Sequence, residues 1–209
     1  MRRFKPALAC TTLTFLLLSF VATPATASEP DEVSEEEITS SQGPSPYVEA
    51  DTEEEAMRKL DAIEKEHPQG ISAQAAYKRY GPCTLHPAGF HTRKSAGYKY
   101  GGVKPVTVCT KKVTGIKMAS QLRVKNGLMW VKAGIEIPQT ANDKDLRTGG
   151  KYKKKYYTVK FTQTNMKYKC KGTKKHKWSA SSIGRLRYQG RTLWARVTSP
   201  ILSVPCGPH

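Results

Sequence analysis

The alternation of apolar residues with lysines over residues 149–178 leaves this chain few ways to fold. The segment reads GGKYKKKYYTVKFTQTNMKYKCKGTKKHKW and holds eleven lysines and no acid. Tyr157, Val159 and Phe161 fall on one side of an extended chain, with Thr158, Lys160 and Thr162 on the other. Met166, Tyr168 and Cys170 then alternate against Lys167, Lys169 and Lys171. Period two, not 3.6, sorts these residues into one wet and one dry face, so the segment is β. A two-residue loop at Thr164-Asn165 pairs Phe161 with Tyr168, Val159 with Cys170 and Lys160 with Lys169. A one-residue slip sets lysines opposite Phe161, so this register is the expected one. The predicted unit is a hairpin with an apolar, disulfide-anchored inner face and a lysine-covered outer face.

Strand signals continue on both sides of it. Residues 105–109, 113–120 and 121–124 read as strands, Asn126-Gly127 as a hairpin turn, and residues 128–133 as the returning strand. Residues 179–188 and 191–198 flank a turn at Gln189-Gly190, and residues 201–206 form a last strand. Residues 84–102 and 135–148 are rich in Gly, Pro and polar residues and read as loops. Trp130 and Phe161 are expected in the core; Trp178 and Trp194 can face either side. The fold class predicted for residues 81–209 is all-β, a small antiparallel β-sandwich or partly open barrel.

The N-terminal part has a different character. Arg2, Arg3 and Lys5, an apolar run over 7–22 and the small-residue triplet Ala25-Thr26-Ala27 make residues 1–27 a signal peptide for export. No later apolar run approaches the about 20 residues of a membrane span. Residues 28–50 form an acidic segment with little to bury and are expected to be disordered. Residues 51–80 are a helical acidic segment and linker. Its main helix covers 51–66, capped by Asp51 or Thr52, with Ala56, Met57, Leu60 and Ile63 on one narrow face. A second, shorter helix is expected over 72–80.

Charge divides at the same place. Residues 29–66 carry fourteen acids and three bases, whereas residues 67–209 carry twenty-nine bases and three acids, Glu136, Asp143 and Asp145. Such asymmetry points to a polyanionic partner or to an acidic segment that docks on its own domain. Four cysteines remain beyond the signal: Cys83, Cys109, Cys170 and Cys206. An even number in an exported chain reads as two disulfides. Cys83–Cys109 with Cys170–Cys206 is the expected pairing, because each bond closes a modest loop, and two other pairings remain open. The spacing lacks C-x-x-C and places no histidine at ligand distance in sequence, so no metal and no cofactor are expected.

Several stretches also resemble a group of small secreted actinobacterial proteins of uncharacterised function. They are GPCTLHP at 81–87, RKSAGYK at 93–99, GGVKPVTVC at 101–109, KYKCKGTKKHKWS at 167–179 and VPCG at 204–207. The resemblance covers about residues 81–207 and implies export and a disulfide-bonded β domain. It implies no mechanism.

The charge pattern carries the functional expectation. Lys151, Tyr152, Lys153, Lys154, Lys155, Lys160, Lys167, Lys169, Lys171, Lys174, Lys175 and Lys177 are expected to form one basic face with exposed aromatics. Its partner would be an anionic polymer of the cell envelope or extracellular nucleic acid, bound without catalysis by a secreted, monomeric protein. The bland alternative is a lysine surface that only keeps the protein soluble. Paired carboxylates are too scarce in the basic domain for a glycosidase or aspartic protease. A nuclease using His86, His91 or His176 with neighbouring bases, or a cationic toxin held in check by its acidic leader, is the alternative of a different class. The acidic helix would then mask the lysine face.

Overall fold

The computed structural model describes residues 43–67, 76, 79–142 and 145–208. The expected signal peptide, residues 28–42, most of the expected second helix and Asp143 lie outside the described residues. The fold is all-β, built from three antiparallel sheets, none closed into a barrel.

The largest sheet runs β2 (Val48–Glu49), β13 (Arg191–Thr198), β12 (Lys175–Tyr188), β7 (Thr114–Asn126), β8 (Met129–Thr140), with β14 (Leu202–Pro205) paired to the Lys175 end of β12. A second sheet runs β1 (Ser45–Pro46), β3 (Cys83–His86), β6 (Val106–Cys109), β10 (Lys155–Thr162), β9 (Leu146–Tyr152). The third is small: β11 (Tyr168–Lys169), β5 (Tyr100–Gly102), β4 (His91–Thr92). Both smaller sheets pack on one face of the largest. Leu85, Val159 and Phe161 of the second sheet meet Ile116, Met118, Leu186, Leu193 and Ala195 in one cluster. Met166 and Tyr168, with Phe90, meet Leu122, Val124, Trp178 and Ala180 in another. Alternation along β7 turns Ile116, Met118, Leu122 and Val124 to one face, and position along the strand divides them, the first two serving the first cluster and the last two the second.

Both expected disulfides are formed. Cys83–Cys109 joins cross-strand partners of β3 and β6, and Cys170–Cys206 joins the chain after β11 to the chain after β14. Trp130 and Phe161 are buried as expected. Trp178 is also buried, stacked on Phe90 at 4.3 Å, with its Nε1–H donating to the Cys206 carbonyl at 2.9 Å. The helix α1 (Glu53–Glu66) begins at Thr52, whose Oγ1 accepts from the Glu55 N–H at 3.2 Å.

Four expectations need correction. The hairpin turning at Thr164-Asn165 does not exist. Phe161 pairs with Thr107 and Leu146, Val159 with Cys109 and Thr148, and Lys160 with Val108 and Arg147. Tyr168 pairs instead with Gly101, and Lys169 with Tyr100. The reason is polar. Gln163 is buried, accepts from Ser120 Oγ at 2.6 Å and donates to the Ile137 carbonyl at 2.6 Å, so the chain crosses between sheets where a tight turn was expected. Alternation specifies faces but not partners.

Residues 43–50 are not disordered. Tyr47 is fully buried, and β1 and β2 add an edge strand to each of the two larger sheets. Residues 135–148 are not a single loop either. β8 runs on to Thr140 through a bulge beside Gly134, and Pro138 is tolerated because β8 is an edge strand that needs no ladder N–H there. Residues 84–102 contain most of β3 with β4 and β5, and Gly89, Gly101 and Gly102 are sites of close packing. A Cβ on Gly101 would run into the Phe90 ring, and one on Gly102 into the Met166 carbonyl.

Candidate functional site

The acidic helix docks, but not on the lysines. Its apolar residues Ala56, Met57, Leu60 and Ile63 pack with Val48, Ala50 and Trp194. Beside them Arg196 Nη2 donates to Asp61 at 2.6 Å and to Glu64 at 3.0 Å. The surface that α1 covers is therefore β13, on the face of the largest sheet opposite the core, and not the β9–β10 lysines. Arg196, beside Trp194, receives the helix because it combines an apolar stem and a charge at one place.

The eleven lysines do not form one face. Lys151, Lys153, Lys154, Lys155 and Lys160 belong to the hairpin β9–β10, whereas Lys167 precedes β11, Lys169 lies in it, and Lys175 and Lys177 lie on β12. Lys171 follows Cys170 and is held by its N–H to the Gly207 carbonyl, and Lys174 precedes β12. The first set is the denser. Four of its lysines fall within residues 151–155, around a two-residue turn formed by Lys153 and Lys154.

Two features of this turn are unusual. Lys153 and Lys154 both adopt left-handed backbone conformations, φ 46° and 67°, at positions where such a turn favours asparagine and glycine. In addition, none of the five lysines has a carboxylate partner among the described residues. Aromatic rings stand in for acids. Lys151 faces Tyr156 across the hairpin, with Nζ 4.7 Å from the ring centroid, and Lys155 faces Tyr152. Lys160 lies 5.8 Å from the Tyr152 ring and 5.5 Å from the Tyr157 ring. Such contacts ease the repulsion among the lysines without neutralising their charge.

Under the turn, Tyr152 sits edge-on to His86, with ring centroids 5.0 Å apart. His86 is buried and bonded to Thr84 Oγ1 at 3.0 Å. Burial, and secondarily the charge of Lys153, push its pKa down to about 4, so it is neutral at physiological pH. Burial also raises the Tyr152 phenol above its usual range.

Beside the hairpin lies an open groove of about 820 Å³, lined by Lys112, Val113, Leu146, Thr148, Gly149, Tyr157, Thr158 and Val159. The sequence reading missed Lys112, Thr148 and Tyr157 as site residues. Thr148 lies within residues read as a loop, and β9, with Gly149-Gly150 at its centre, has no alternation to mark it as a strand.

His86, His91 and His176 stand in three different sheets and are not brought together. No group of His, Cys, Asp and Glu able to hold a metal occurs among the described residues. No helix among them is long and apolar enough to cross a membrane, which leaves strands unaddressed. Compared with family models, with curated proteins and with solved structures, the chain matches none.

Proposed function

We propose that this is a secreted protein that binds an anionic polymer of the cell envelope or extracellular matrix, without catalysis, through the β9–β10 hairpin. One observation carries this reading. Lys151, Lys153, Lys154 and Lys155 are crowded onto a left-handed turn with no acid beside them, although both strain and like charge oppose that arrangement. Strain of this kind persists where it serves a site. The neighbouring groove supplies what a charged turn alone lacks: a tyrosine face and the Thr148 and Thr158 hydroxyls, suited to sugar or polyol units between phosphates.

The test is retention of the oxidised protein on lipid-free wall polymer over a salt series. Retention should fall steeply with salt, and Lys153→Asn with Lys154→Gly should reduce the slope of log affinity against log salt by about 2. Absence of retention at low salt removes the proposal, and so does an unchanged slope in the variant.

A further inference from the structure

The third sheet carries a surface of its own, built on the loop that joins β4 to β5. This loop is the RKSAGYK stretch, residues 93–99. The Arg93 N–H closes it at the base by donating to the Tyr100 carbonyl at 2.7 Å. Inside it, the Ala96 and Tyr98 N–H groups both donate to the Arg93 carbonyl, at 3.1 and 3.0 Å. Arg93 Nη2 donates in turn to the Thr164 and Met166 carbonyls, which fastens the loop to the chain leading into β11. Gly97 and Tyr98 are both left-handed, φ 58° and 61°. Glycine meets that demand freely, and a tyrosine does not. Tyr98 nevertheless holds the position while 57% exposed, so burial returns little for the strain.

Register sets a second tyrosine and a lysine beside it. Tyr100 pairs with Lys169 across β5 and β11. In the next pair, Gly101 with Tyr168, the Tyr168 ring is turned into the core against Trp178. Tyr100 and Lys169 therefore share the outer face of the sheet. The Lys99 carbonyl accepts from the Cys170 N–H at 2.9 Å, which brings Lys99 alongside, and the Cys170–Cys206 disulfide fixes this edge. Lys94, Lys99 and Lys169 are exposed, and none of the three has a carboxylate partner among the described residues.

We infer that Tyr98 and Tyr100, with Lys94, Lys99 and Lys169 around them, form a binding surface for single-stranded nucleic acid. Unstacked bases lie on the tyrosine rings, and the lysines follow the phosphates. The partner class follows from the two kinds of group together. A polymer of phosphate and polyol uses the lysines but offers no flat ring to an exposed tyrosine. A neutral glycan offers ring faces but leaves the lysines idle. Duplex DNA carries the charge but keeps its base faces stacked on one another, out of reach of a tyrosine ring. A flexible polyanion with a planar ring in each repeat uses both.

This inference does not depend on polymer binding, since the β9–β10 hairpin belongs to the second sheet and these residues to the third and its loop. The experiment is a fluorescence-anisotropy titration of the oxidised protein, produced with its own N-terminal sequence, against a labelled oligothymidylate of about 12 nucleotides. Inorganic polyphosphate, a polyanion without rings, is titrated in parallel. Tyr98→Gly should weaken binding of the oligonucleotide about ten-fold and leave binding of polyphosphate within about two-fold. Tyr98→Phe, which keeps a stacking ring, should stay within about two-fold on both. Lys99→Gln with Lys169→Gln should reduce the slope of log affinity against log salt by about 1.4 on the oligonucleotide. The ten-fold factor should persist in the Lys153→Asn, Lys154→Gly background, so failure of the hairpin reading and failure of this one are told apart. Glycine suits the left-handed position, so Tyr98→Gly should unfold at no lower a midpoint than the parent. The inference is overturned by absence of oligonucleotide binding at low salt or by full binding of Tyr98→Gly. It is also overturned by an equal loss on polyphosphate, or by a lower midpoint of Tyr98→Gly, since the ring would then serve the fold.

Discussion

The Tyr47 hydroxyl lies 2.7 Å from Thr107 Oγ1, a buried hydrogen bond between residues sixty positions apart. It ties the end of the acidic segment to β6, and the Tyr47 ring passes so close to Gly184 that a side chain there would collide with it. The Thr107 hydroxyl also points at the Met118 sulfur at 3.3 Å. Burial drives the phenol pKa far above its usual range, so the group is a permanent neutral partner. Tyr47→Phe should therefore cost about 1–2 kcal/mol, and Tyr47→Ala about 3–5 kcal/mol, in urea unfolding. A chain shortened through residue 50 should fail to fold, so removing the whole acidic segment cannot test masking. Refolding of such a chain to the native midpoint would contradict the role assigned to Tyr47.

The Arg196 clamp makes a separate prediction. Asp61→Asn with Glu64→Gln removes both acceptors of one guanidinium that is largely shielded by α1. The loss should be about 1–2 kcal/mol, and smaller at high salt. Amide exchange should quicken in α1 and hardly change in β12. Affinity for an anionic polymer should stay constant, because the helix covers β13 and not the lysine hairpin. A rise in affinity would restore masking as an explanation.

His86 gives the chain an acid-side dependence whose sign is determined by its depressed pKa. Below pH 6.5 the unfolded chain takes a proton on this residue, while the folded chain does not until about pH 4. Stability from this group is complete above pH 6.5 and is lost as pH falls toward 4, by roughly 3 kcal/mol in all. His86→Asn should flatten that part of the stability profile, whatever its effect at neutral pH. Because Thr84, Tyr152 and Lys153 surround the ring, Lys153→Gln should raise the His86 pKa in an NMR titration. An unchanged value would show that burial alone sets it.

The strands that were legible in advance are those whose pattern is local. Residues 191–198 show Leu193, Ala195 and Val197 against Trp194 and Arg196, and the structure buries the first set in the core and covers the second with α1. Gln189-Gly190 likewise forms the turn its chemistry demands, with both residues left-handed. What could not be read was partner choice. Phe161 has the same pattern whether it faces Tyr168 or Thr107. The decision rests on Gln163, whose buried amide network links three strands, and on Gly101 and Gly102, which admit Phe90 and Met166. Tyr47 was hidden for a related reason. A single aromatic in an acidic stretch has no periodicity, and its burial depends wholly on the sheets it completes. Lys112 beside the groove was not singled out, and the division of the other lysines among separate strands follows from that same choice of partners.

The turn at Lys153 and Lys154 should set stability against binding. An L-residue in the left-handed region costs about 1 kcal/mol or more relative to glycine, and a two-residue hairpin turn of this type demands it at both positions. Lys153→Asn with Lys154→Gly supplies the preferred turn residues and removes two of four crowded charges. The variant should be more stable by about 1–2 kcal/mol in urea unfolding, with the extra stability largest at low salt where lysine repulsion is unscreened. Loss of Lys153 also relieves His86, so part of the gain should appear as a higher stability below pH 6.5. If the lysines were only a solubilising surface, that gain would come at no functional cost. If they form a binding turn, the stabilised protein should hold anionic polymer more weakly, and the two effects should separate cleanly in Lys153→Gln with Lys154→Gln, which removes the charge but keeps the strain. That second variant should lose polymer affinity to the same degree while recovering less of the stability. Equal stability gains in both variants would mean that charge alone, and not backbone strain, opposes the native turn.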